Sequence, residues 1–125
     1  MNAVVEHLVE PIQTLITTRK LMRSGGYLLL TTPNIAKWTR RTKLLFGRFP
    51  GTAAIDEGLL QYDRTSPTAL YDEGHLHYFT FRSLSRVLVE RAGFSRVDRL
   101  CFGRPGFLAW AWPTMFSEVC LRAHV

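Results

Sequence analysis

The chain has 125 residues, room for one domain, and 46% of them are hydrophobic, enough to bury a core and to make a globular protein. Its 16 Lys and Arg against 10 Asp and Glu leave a net charge of +6, which favours anionic partners in general, but no nucleic-acid motif accompanies it and no nucleic-acid partner is expected. Nothing approaches the ~20 apolar residues of a membrane-spanning helix. The N-terminus lacks a secretory pattern, and Cys101 and Cys120 have neither redox nor zinc spacing, so a reduced, cytoplasmic protein is expected.

Leu8, Ile12, Leu15, Ile16 and Met22 recur at helical spacing, with Pro11 suited to the first turn and Ser24-Gly25-Gly26 to the stop. Tyr27-Leu28-Leu29-Leu30-Thr31-Thr32 is a continuous apolar run, the pattern of a strand covered on both faces in a parallel sheet, and Pro33 ends it. Ile35, Trp38, Thr42, Leu45 and Phe46 predict a second, amphipathic helix whose other face carries Lys37, Arg40, Arg41 and Lys43 and is read as solvated. Residues 47–74 have glycine, proline and polar punctuation and predict an irregular insertion.

Thr80 is the expected N-cap of a third helix, with Leu84, Val87, Leu88 and Ala92 as its buried stripe and Gly93 as its stop. Phe94 to Phe102 reads as a strand, Gly103 to Pro113 as a loop rich in Gly, Pro and Trp, and the tail alternates, placing Val119, Leu121, Ala123 and Val125 on one face. The order is that of an α/β ending, in a single unit spanning residues 1–125.

Four stretches, in order, resemble the class I S-adenosylmethionine-dependent methyltransferases. Val4-Val5-Glu6-His7-Leu8 with Glu10-Pro11 is similar to the end of that family's fourth strand and the start of its next helix. Leu21 to Asn34, through Gly25-Gly26, is similar to its helix, turn and fifth strand. Gly74-His75-Leu76-His77-Tyr78-Phe79-Thr80 and Glu90-Arg91-Ala92-Gly93-Phe94 complete the match, the latter at the passage into the sixth strand, and the tail is compatible with the seventh.

The resemblance implies the C-terminal part of a Rossmann-like methyltransferase fold, with S-adenosylmethionine as cofactor and a small molecule or lipid- or sugar-linked metabolite as acceptor. The glycine-rich loop after the family's first strand and the acidic residue ending its second have no counterpart here. Gly25-Gly26 follow a helix instead of opening one and make no nucleotide fingerprint. The expectation is a truncated methyltransferase that keeps acceptor-side elements and is inactive alone. The alternative is a catalytically silent module that pairs with an intact partner. In either case the strand at Tyr27 to Thr32 is expected to have an open edge that invites a partner chain or self-association.

Methyl transfer to a hydroxyl needs alignment and removal of a proton. By resemblance, Glu6 and His7 lie beside cofactor and acceptor, which makes His7 the first candidate base and Glu6 a substrate contact; capping and packing of the first helix is the other role open to them. Asn34, coming off the carboxyl end of a strand, is a candidate acceptor contact and equally a cap for the helix that follows. His75 and His77 stand two apart, on one side of an extended segment, with His75 the second catalytic candidate and His77 a substrate contact. A metal site drawing on Asp72 or Glu73 with this pair lacks enough converging ligands, so no metal is expected.

Overall fold

A computed structural model describes residues 1–52, 74–101 and 107–125; most of the predicted 47–74 insertion lies outside them. A 3₁₀ turn at Val5–His7 leads to α1 (Pro11–Leu21), with the expected proline in its first turn. Gly25, at φ 76°, reverses the chain into β1 (Tyr27–Pro33). After β1 come α2 (Trp38–Leu45) and α3 (Phe81–Arg86), the latter widening into a π-helical turn at Val87–Arg91. The chain closes with β2 (Arg96–Arg99), α4 (Leu108–Ala111), a 3₁₀ turn at Pro113–Met115 and β3 (Glu118–His124).

The third helix begins as the sequence asks. Ser83 N–H donates to Thr80 Oγ1 at 3.0 Å and Thr80 N–H donates to Ser83 Oγ at 2.9 Å, a reciprocal capping box with serine in the place usual for Glu or Gln. Its end is wider than periodicity predicts: Ala92 N–H reaches the Val87 carbonyl, five residues back, before Gly93 at φ 80° terminates it.

The sheet has the order β1-β3-β2 with both pairings antiparallel, so β1 and β2 run in the same direction on either side of the last strand. Leu30 faces Leu121 across one pair and Val97 faces Ala123 across the other. Val119, Leu121 and Ala123 are buried, as the alternating tail predicts, and pack with Leu15, Leu30, Phe81, Leu84, Leu88 and Phe94 into one core. Removing such residues from water at about 25 cal/mol per Å² is the main drive for the fold.

Two expectations are corrected. The strand β1 is not covered on both faces: Leu30 and Thr32 are buried, but Tyr27 and Leu29 on the other face are 56% and 45% exposed. Its apolar run reflects a sheet whose second face carries little cover among the described residues. The helix α2 forms, but none of its residues is buried, and Trp38, Leu44 and Leu45 stand exposed.

The outer edge of β1 meets the chain's own start. Ala3 N–H donates to the Thr31 carbonyl and Thr31 N–H to that of Met1, both at 3.1 Å, in a parallel bridge centred on Asn2 and Thr31. The rest of that edge has no strand partner among the described residues. Part of the predicted 103–113 loop is helical: Trp110 in α4 stacks on Arg99 of β2 with the guanidinium 4.2 Å from the ring centroid, and Arg99 also donates to the Ala109 carbonyl at 3.2 Å. No helix of the described residues is long and apolar enough to cross a membrane.

On the open face, Asp98 accepts from His124 Nε2 at 2.8 Å and pairs with Arg96 at 3.2 Å. The His124 bond, above all, holds the Asp98 carboxyl below its ordinary range, against a desolvation effect that raises it and with help from the Arg96 charge. A depressed native value stabilises above the unfolded-state pKa and loses that contribution as pH falls through the native value. Urea midpoints measured from neutral to acid pH should therefore fall less steeply for Asp98→Asn than for the natural chain, and the two chains should converge at the acid end.

Candidate functional site

The turn Val5–His7 follows directly from the parallel start beside β1, so Glu6 and His7 emerge past the carboxyl ends of two parallel segments, where open α/β sheets hold ligands. The second contributor is the stretch from Gly74 to Phe79. Its Leu76 and His77 N–H groups both donate to the Glu6 carbonyl, at 2.8 and 3.1 Å. That double bond to one acceptor draws His75 over His7, and the two imidazole centroids stand 4.6 Å apart.

Glu6 is 1% exposed, yet neither carboxylate oxygen has a hydrogen-bond partner among the described residues. A buried, unpaired carboxylate is costly, so its surroundings are the least ordinary feature of the molecule. One carboxylate oxygen and one ring nitrogen from each of His7 and His75 all lie within 4.8 Å of one another. His7 Nδ1 stands 3.3 Å from the Gly74 carbonyl, which can only accept, so Nδ1 carries the proton and the neutral ring keeps its lone pair on Nε2. His75 Nδ1 is 2.7 Å from Thr52 Oγ1.

The sequence-predicted residues thus separate. Glu6, His7 and His75 converge. His77 does not share His75's partners: its Nε2 donates to the Leu8 carbonyl at 2.9 Å, tying the Gly74 to Phe79 stretch to the entry of α1. Asn34 is 1% exposed and donates from Nδ2 to the Pro113 and Phe116 carbonyls at 2.9 and 3.0 Å, while its Oδ1 accepts from Ala36 N–H. Asp72 and Glu73 lie outside the described residues.

Two residues behind the site escape sequence reasoning. Thr52, buried, orients His75. Arg40, read from the sequence as part of a solvated basic face, instead donates to the carbonyls of Asn34 (2.8 Å), Ser117 (3.0 Å), Gly51 (3.0 Å) and Thr52 (3.4 Å). It joins the end of β1, the start of β3 and the segment holding Thr52. A planar fork of five donors suits four carbonyls where an ammonium does not, and no periodicity marks such a role. Burial, chiefly, pushes the Cys120 thiol up from its ordinary range, which disfavours the thiolate.

Residues 1–98 match the family model of a methyltransferase domain. The chain belongs to the methyltransferase domain family. Comparison with curated proteins gives no match. The matched span of the methyltransferase domain takes in Glu6, His7, Arg40, Thr52 and His75, so the whole cluster and its support lie within it.

Replacing Arg40 by Lys keeps the charge and loses the fork. Arg40→Lys should lower unfolding stability by about 2 kcal/mol in urea titrations, the scale of hydrogen bonds made by a charged donor. It should also displace the His75 ring resonances in NMR spectra while leaving those of His124 in place.

Proposed function

We propose that this chain is the acceptor-side part of an S-adenosylmethionine-dependent methyltransferase, with His7 as the base that takes the proton from a small-molecule hydroxyl acceptor. The observation that carries the reading is the meeting of Glu6, His7 and His75 beyond the carboxyl ends of parallel segments, inside the matched methyltransferase domain. His7 suits a base because its Nδ1 proton is directed at the Gly74 carbonyl, which leaves the lone pair on Nε2. His75 orients the acceptor beside it. His77 and Asn34 act by holding the backbone around this group.

The described residues do not build a cradle for the cofactor. Gly25, Gly47, Gly74 and Gly93 have positive φ, and among the described residues none opens a helix after a strand. Bound S-adenosylmethionine would supply an electrophilic methyl group; its grip is assigned in this reading to a segment outside these 125 residues. Calorimetric titration of S-adenosylmethionine into this chain should give no stoichiometric heat. Joined to the cofactor-binding half of an active relative, it should support methyl transfer that falls about 10²–10⁴-fold in His7→Gln. Tight binding by the chain alone, or transfer indifferent to His7, would contradict the assignment.

A silent pairing module is the second reading, favoured by the exposed Tyr27 and Leu29 beside an edge held, among the described residues, only by Met1–Ala3. Co-purification with an intact methyltransferase whose activity ignores His7 would favour it over the first.

A further inference from the structure

We propose that Glu6, His7 and His75 form a binding site for one divalent first-row metal ion. Two imidazoles and one carboxylate, with further positions left to solvent or substrate, are a donor set that nitrogen- and oxygen-loving cations such as Zn²⁺, Co²⁺ and Fe²⁺ accept. Three donor atoms mutually within 4.8 Å, with no hydrogen bond to either Glu6 oxygen among the described residues, lie close to what one ion can span. Metal bonds of about 2.0–2.2 Å place neighbouring ligand atoms roughly 3.3–3.5 Å apart, so side-chain rotations of about 1 Å complete the set.

The Glu6 carboxylate points to a ligand independently of that spacing. It is 1% exposed, has no hydrogen-bond partner on either oxygen among the described residues, and faces the two rings. A carboxyl group enclosed in this way finds no polar partner among the described residues, and a dication would supply one directly. Supports also stand behind the rings. His7 Nδ1–H is directed at the Gly74 carbonyl and His75 Nδ1 meets the Thr52 hydroxyl, the kind of outer contacts that fix ligand tautomers and orientation. The backbone of Glu6, through its bonds from Leu76 and His77, keeps the two halves of the set in register.

A bound ion also deepens the methyltransferase reading, on which this part of the inference rests. With an ion bound, His7 Nε2 would act as a ligand instead of the base, and the metal's charge would acidify an acceptor hydroxyl at an open position, its proton passing to solvent; the base role of His7 belongs to the metal-free site. This would restrict acceptors to those with an oxygen able to reach the ion.

The test is metal binding itself, read without methyl donor or acceptor. The 125-residue chain, stripped with a chelator, is titrated with Zn²⁺ by calorimetry and with Co²⁺ by visible absorption. One equivalent should bind, with intense d–d bands for Co²⁺ showing low coordination by nitrogen and oxygen. Glu6→Gln, His7→Gln and His75→Gln should each weaken binding at least about 100-fold, Thr52→Val about 10-fold, and Glu90→Gln, on an exposed helix surface, should leave it unchanged. Should the buried Glu6 variant unfold, the two histidine variants decide the matter, because His7 is exposed and His75 only partly buried. No stoichiometric binding, or binding that survives both histidine replacements, overturns the site. An ion that binds in a chain whose fusion transfers no methyl group leaves the site standing and removes only the enzymatic reading.

Discussion

The Glu6 carbonyl is the joint on which the site depends. By accepting from two successive N–H groups, Leu76 and His77, it ties the turn at the start of the chain to a stretch that follows long after it in sequence. Everything chemically unusual accompanies that tie: the close, tilted pair of imidazoles, the carboxylate shut away from water beside them, and the contact of His75 with Thr52. A backbone acceptor is well suited to the task, since it leaves the side chain of the same residue uncommitted.

The fold supplies the two arms of this joint separately. One arm is positioned by the sheet, because Met1–Ala3 run parallel to the edge of β1 and so deliver Glu6 and His7 past its carboxyl end. The other is positioned by the core, because Phe79 is buried and the Thr80–Ser83 box starts α3 immediately after it, which leaves residues 74–77 little freedom. Arg40 closes the third side by gathering carbonyls from the ends of β1 and β3 and from residues 51–52. Rigid elements thus carry a site whose own residues lie mostly in turns, the common arrangement for ligand sites.

Much of the framework was legible in the sequence, because it is written in periodicity and punctuation. Pro11, Gly25, Thr80 and Gly93 stand at helix or turn boundaries for local reasons, and the alternation of Val119, Leu121 and Ala123 survives into the core. The run Tyr27 to Thr32 misled about its second face, since apolarity alone does not say whether a cover is present within the same chain. Resemblance brought Glu6 and His7 forward and the His-x-His spacing brought His75, but their convergence depends on pairing across 67 positions between His7 and Gly74, which no local pattern encodes. The same limit explains why the sequence, read locally around His75 and His77, predicts no metal site. Arg40 and Thr52 act through backbone carbonyls and a single hydroxyl, contacts that leave no compositional trace.

Amide hydrogen exchange at Leu76 and His77 tests this account most directly. If both N–H groups are held by the Glu6 carbonyl, their exchange should be slowed to the degree seen for amides of β3 within the sheet. Exchange at the rate of an unstructured peptide at these two positions, with β3 still protected, would show that the joint does not exist and that His7 and His75 are not held together.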